Sequence, residues 1–237
     1  MLNNIIDLGE KMNYKNLLNS TSFSKLISNL AGSFVECLND DFGSLFFNLK
    51  PDHLNYMNLS INKSIKSIFK NDLPQEFCDN ACSEIDIFRR KTFNEINEWM
   101  IYLDFENGEI LDCFKGVNGE VIGQILESRY KGRKVVAIHN HPEGYLSPPS
   151  YDNFGILKFA FQDYEIICSK DEFWILEAKG VVKNRELKII KRNVKLLYKH
   201  AFDFSEDNQS LNRIYEENLL NYLNNKNNIK LIKKEYK

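Results

Sequence analysis

The 237-residue chain is short of several residue types, and each shortage narrows what it can be. It holds five prolines, four methionines, two tryptophans, four histidines and five cysteines, and its formal net charge is only −2. The cysteines, Cys37, Cys78, Cys82, Cys113 and Cys168, are odd in number and scattered. That argues against a disulfide framework and for a reducing compartment, so a cytoplasmic location is expected. Cys78 and Cys82 lie four apart with no second pair nearby. A structural zinc needs more ligands, and a turn or two of helix with small buried residues accounts for them. There is no run of about 18 apolar residues, so no membrane span is expected. The opening "MLNNIIDLGEKMNYKNLL" has no apolar stretch leading to a small-residue cleavage site and does not read as a secretory leader. A near-neutral chain creates no broad field to recruit nucleic acid or an acidic membrane. What is present is apolar material: 43% of the residues are hydrophobic, including 17 phenylalanines and 11 tyrosines, which excludes a disordered chain.

Three regions follow from the pattern. Residues 1–83 read as helical. Phe23, Leu26, Ile27, Leu30, Phe34, Val35 and Leu38 recur at three and four, and Ile61, Ile65, Ile68 and Phe69 repeat the pattern before Pro74. His53, beside Asp52, reads as a surface or packing residue. From residue 84 to 182 the character changes. "IDIFRRK" and "EWMIYLDF" are rich in β-formers, and Asn107-Gly108 is a hairpin turn signal between two apolar runs. "EVIGQILESRYKG" suggests a helix, and "KVVAIH" a buried strand. "SYDNFGILKFAFQD" suggests a helix capped by Ser150, and "YEIICSKDEFWILEAKG" two strands joined at Lys170-Asp171. Residues 183–237 read as a helical extension, with a stripe of Leu187, Ile190, Val194 and Leu197, ending in the basic, low-complexity tail "NNKNNIKLIKKEYK", expected to be solvated. Alternating strands and helices define a mixed α+β class (α/β in the broad sense) built on a mixed sheet flanked by helices.

The chemistry concentrates in "VVAIHNHPEGYLSPPSYDNF", residues 135–154, which holds two of the four histidines. His139 and His141 stand at i and i+2 at the end of a strand, so their side chains share one face. Two imidazoles so placed can share a metal, and the loop after Pro142 can bring a third ligand from the next element.

"HNHP" followed by a loop, a serine and an acid resembles the JAMM metalloprotease motif of the MPN+/JAB superfamily, written His-x-His-x(7)-Ser-x-x-Asp with a glutamate upstream. The wording is most similar to the bacterial and phage branches, which include RadC-type proteins. The resemblance covers about residues 84–182. By spacing from His141, Asp152 falls where the family has its metal-binding aspartate, and Pro149 falls where it has serine. Counting from Ser150 keeps the serine and puts Asn153 in the acid's place. A cation gains more from a carboxylate than from an amide, so Asp152 is the expected ligand and Asn153 its competitor. Adjacent helical positions differ by about 100°, so both cannot face one metal. Glu98, 41 residues before His139, is the candidate glutamate, with Glu95 as its neighbour.

The resemblance implies a zinc hydrolase of amide or isopeptide bonds. His139, His141 and Asp152 would hold Zn2+, Glu98 would act as general base and acid, and Ser150 would donate to the oxyanion. The implied substrate is a peptide or the tail of a ubiquitin-like protein conjugate. Two other readings compete. The displaced serine and the possible loss of the aspartate suit a catalytically degenerate MPN-like interaction module. The RadC likeness suits a DNA-associated protein only by analogy; the letters "HNH" are not the nuclease motif of that name, whose residues are widely separated. Ser147 and Tyr145 read as loop residues, His200 as a helix-end residue, and Trp99 and Trp174 as core.

Overall fold

The structure is a computed structural model that describes residues 53–116 and 130–236, all within one compact unit, Lys50–Lys237. The helical readings of residues 1–52 and 117–129, and the side chain of His53, lie outside the described residues.

The fold is mixed α+β, as expected. Six strands form one sheet: β1 (Trp99–Asp104), β2 (Glu109–Lys115), β3 (Val135–Asn140), β4 (Gln162–Cys168), β5 (Glu172–Ala178) and β6 (Ile229–Glu235), in the order β2-β1-β3-β4-β5-β6. Every neighbouring pair is antiparallel except β3 and β4, which run parallel. The helices are α1 (His53–Asn58), α2 (Asp79–Thr92), α3 (Asn184–Phe204) and α4 (Asn208–Leu223).

Strand period sorts the core onto two faces. Ile101, Leu103, Val136, Ile138, Ile166 and Ile175 pack with Ala81, Cys82, Ile85 and Phe88 of α2. Ile85 and Phe88 are wholly enclosed, each worth about 1.5–3 kcal/mol of apolar burial. On the other face Tyr102, Phe114, Val135 and Ala137 join Tyr130 and Phe161, while Leu176 packs with Phe154 and the inner stripes of α3 and α4. All six residues of β3 are buried, which is why "KVVAIH" is a continuous apolar run rather than an alternating one. Trp99 and Trp174 are core residues within strands, and the strand pair joined at Lys170-Asp171 is present.

Four expectations are corrected. "IDIFRRK" lies in helix α2, because Ala81, Cys82, Ile85, Phe88, Arg89 and Thr92 form one buried helical stripe that outweighs the local β-propensity. Cys78 caps that helix, its sulfur accepting from Ala81 N. Residues 61–69 form turns and extended chain rather than a helix, closed by a 3-10 turn at Lys70–Asp72. The segment after Ser150 is a short 3-10 helix, Asn153–Lys158, because the chain must enter β4 by Gln162. The basic tail forms β6, so the sheet extends beyond residues 84–182. Its end is anchored by Arg89, which stacks 3.3 Å from the Tyr236 ring centroid and donates to Lys66 O and Lys170 O.

The Asn107-Gly108 turn joins β1 to β2 with Gly108 at φ +82°, and Gly108 presses on the start of α2. A Cβ there would lie 2.5 Å from Asn80 Cβ and 2.9 Å from Ala81 N. Gly108→Ala is therefore expected to destabilise the fold by more than about 2 kcal/mol, combining a left-handed backbone penalty with overlap against main chain. A shift in the urea unfolding midpoint measures it.

Candidate metal centre

The site forms where β1 begins and β3 ends. Antiparallel pairing places Met100 opposite His139, so Glu98, two residues earlier, falls on the same face as that imidazole. A side chain between the two histidines secures this arrangement. Asn140 Oδ1 accepts from Trp99 N at 2.7 Å, and its Nδ2 donates to Asn97 O at 3.4 Å. The residue separating the histidines thus holds the chain that carries Glu98.

His139 is 1% exposed. Its Nε2 lies 3.2 Å from His141 Nε2 and 3.5 Å from Glu98 Oε1. His141 continues the ladder, its N–H donating to Cys168 O, and its Nδ1 meets Leu146 O at 2.6 Å. A carbonyl can only accept, so Nδ1 of His141 carries the proton and Nε2 keeps its lone pair. Burial lowers both imidazoles: His139 well below its ordinary range, with His141 adding to the effect, and His141 to about 4. Both are neutral near pH 7, the form that binds metal.

Glu98, His139 and His141 form a buried group that can hold a metal ion. Their spacing fits one. Ligand atoms 2.0–2.1 Å from a tetrahedral zinc stand about 3.3–3.4 Å apart, close to the 3.2 Å and 3.5 Å that separate His139 Nε2 from His141 Nε2 and Glu98 Oε1, and all three donors lie within 4.8 Å of one another.

Asp152, expected as the third ligand, is not brought to the histidines. Its side chain is 64% exposed and its carboxylate lies 3.4 Å from Lys191 Nζ. It precedes the 3-10 helix and Asn153 begins it, so the two point in different directions, and Asn153 faces the site. Asn153 Nδ2 stands 3.3 Å from His139 Nε2 and 2.9 Å from Glu165 Oε1, while its Oδ1 accepts from Ser150 N at 2.6 Å. Ser150 bonds within its own turn, its Oγ accepting from Asp152 N and its N–H donating to Asn153 Oδ1. Ser147 bonds to Ser169, Glu172 and the Trp174 indole, away from the histidines. Glu95, the neighbour of Glu98, accepts from the Trp99 indole at 3.1 Å.

The sequence reading missed Glu165. It is 5% exposed, its Oε1 lies 3.4 Å from His139 Nδ1, and burial raises its carboxyl to about 8 against the opposing effect of the Asn153 hydrogen bond. The signal was an acid within the largely apolar strand β4, Gln162–Cys168. A cavity of about 360 Å³ opens beside His141, bordered by Phe93, Ile96, Pro142, Tyr145 and Ser169.

No protein-family model, curated protein or solved structure matches this chain. Among the described residues, no helix is long and apolar enough to cross a membrane.

The depressed imidazoles make stability pH-dependent. The unfolded chain protonates His139 and His141 near pH 6.5, while the folded chain resists, so the unfolded state binds more protons as pH falls. In the metal-free protein the two imidazoles are expected to remove stability progressively from about pH 6.5 toward pH 4, while Glu165, raised to about 8, acts in the opposite sense from about pH 8 downward, so the histidine contribution is read as the difference in slope between wild type and His141→Gln. Urea midpoints between pH 7.5 and 4.5 measure it.

Proposed function

We propose that this chain is a zinc-dependent hydrolase of amide or isopeptide bonds, in the manner of the JAMM metallopeptidases its motif resembles. The observation that carries the reading is the convergence of His139 Nε2, His141 Nε2 and Glu98 Oε1 in a buried corner next to an open cavity. His139 and His141 would hold the ion through their Nε2 atoms, and nitrogen donors suit zinc among the divalent ions. Such an ion would acidify a bound water and polarise the scissile carbonyl.

The remaining work falls to the chain's own residues. Glu98, whose Oε1 lies 3.5 Å from His139 Nε2, would stand beside the ion unligated, serve as general base to a water there and then pass the proton to the leaving amine. The Ser150 hydroxyl accepts from Asp152 N, which leaves its own proton to donate to the oxyanion. The cavity beside His141 receives the chain on one side of the bond. A peptide, or the extended tail of a ubiquitin-like conjugate, is the substrate class that the resemblance suggests.

Asn153 favours one rival. A neutral amide stands beside His139, while Asp152 lies in solvent. That is what a metal-poor MPN-like interaction module would carry.

Metal analysis with hydrolysis assays separates the two. Protein purified without chelator is expected to hold about one zinc per chain, lost in His139→Ala and His141→Ala. Asn153→Asp is expected to tighten binding by supplying a negative donor, and Glu98→Gln to abolish isopeptide hydrolysis, with a loss of at least about 10²-fold. A wild-type chain that takes up no zinc, together with unchanged behaviour of the histidine variants, selects the interaction module.

A further inference from the structure

We propose that Glu165 is the positioning residue that fixes His139 with its proton on Nδ1 and its Nε2 lone pair turned to the donor set, and that through Asn153 it holds the 150–153 turn against the same imidazole. The inference rests on the metal-hydrolase reading for its purpose, though not for its geometry.

Glu165 lies in an interior strand, flanked by β3 and β5, with Tyr164, Ile166, Ile167 and Cys168 around it. A carboxyl in such a strand is costly unless its oxygens are used. The parallel register pairs Glu165 with Ala137, two residues before His139, which puts the carboxyl on the histidine's face of the sheet. One oxygen, Oε1, serves both neighbours. It accepts from Asn153 Nδ2 at 2.9 Å and lies 3.4 Å from His139 Nδ1. That nitrogen is buried and makes no hydrogen bond, so the Glu165 oxygen 3.4 Å away is an acceptor standing near it rather than one already bonded.

Two contacts select the tautomer. An acceptor oxygen facing Nδ1 favours a proton there. The Asn153 amide nitrogen, 3.3 Å from Nε2, favours a lone pair there. Asn153 cannot turn over without loss, because its Oδ1 accepts from Ser150 N while Nδ2 donates to Glu165. Because Oε1 already accepts from Asn153, the assignment holds whether or not the other carboxyl oxygen bears a proton. The competing state has His139 Nε2–H donating to His141 Nε2, which would close the donor set to a cation. Glu165 is thus the outer partner that sets a ligating histidine's orientation, a role whose loss typically costs 10–100-fold in metal affinity.

Two measurements test this. The first is nitrogen-15 NMR of the histidine rings in the metal-stripped wild-type chain, with assignment by His→Gln variants. The expected spectrum has His139 protonated at Nδ1; protonation at Nε2 overturns the proposal. The second is zinc affinity by chelator competition, on the full chain. Glu165→Leu, which removes the acceptor but keeps an apolar strand, is expected to bind about 10–100-fold more weakly, with Glu165→Gln recovering most of the loss. Wild-type affinity in Glu165→Leu overturns it. Should Glu165→Leu fail to fold, the wild-type ring spectrum still decides. Should the wild type bind no zinc, the hydrolase reading falls while the spectrum still decides the role of Glu165.

Discussion

The hydrogen bond from Trp99 N to Asn140 Oδ1 governs this structure's chemistry. It is short, at 2.7 Å, and buried, and it joins the start of β1 to the end of β3. Together with Gly116 N, which donates to Glu98 O at 2.7 Å, it holds the chain at Glu98, just before the β1–β3 ladder begins. Pairing of Met100 with His139 sets the register, and the Asn140 bond carries that order two residues further. The middle residue of "HNH" is therefore a structural tie between the acid and the bases.

Around that tie, low dielectric sets the protonation states. Two imidazoles whose Nε2 atoms stand 3.2 Å apart cannot both hold a positive charge in a buried corner. Burial keeps them neutral, and the Leu146 carbonyl fixes the His141 proton on its outer nitrogen. The result is a pair of inward lone pairs beside a carboxylate, which is electrostatically uncomfortable until a cation sits among them. Asn153 moderates this with an amide, where an aspartate would have added charge.

Much of this was legible in the sequence, and the reasons for the exceptions are physical. The strand before His139, the Asn107-Gly108 hairpin and the pair after Lys170-Asp171 announce themselves by apolar runs and turn residues. Glu98 follows from the resemblance, as the acid that precedes the first hairpin strand, and it does stand beside the histidines. The choice between Asp152 and Asn153 was not legible, because spacing and loop length pull in opposite directions and only the backbone path says which side chain faces inward. Glu165 was hidden by its setting, since a reading for strands treats an acid between Tyr164 and Ile166 as an interruption. The tail was misread because "IKLIKKE" carries a weak alternation beneath its charge. Its lysines serve an edge strand, where they also discourage further pairing.

The most direct test of the account is the X-ray absorption spectrum of the zinc-loaded chain. The account predicts a first shell of nitrogen and oxygen at about 2.0–2.1 Å. It also predicts outer-shell scattering from two imidazoles, reduced by His141→Ala and abolished when His139 is replaced as well. A sulfur shell at about 2.3 Å, or an oxygen shell unchanged by loss of the two histidines, would contradict it.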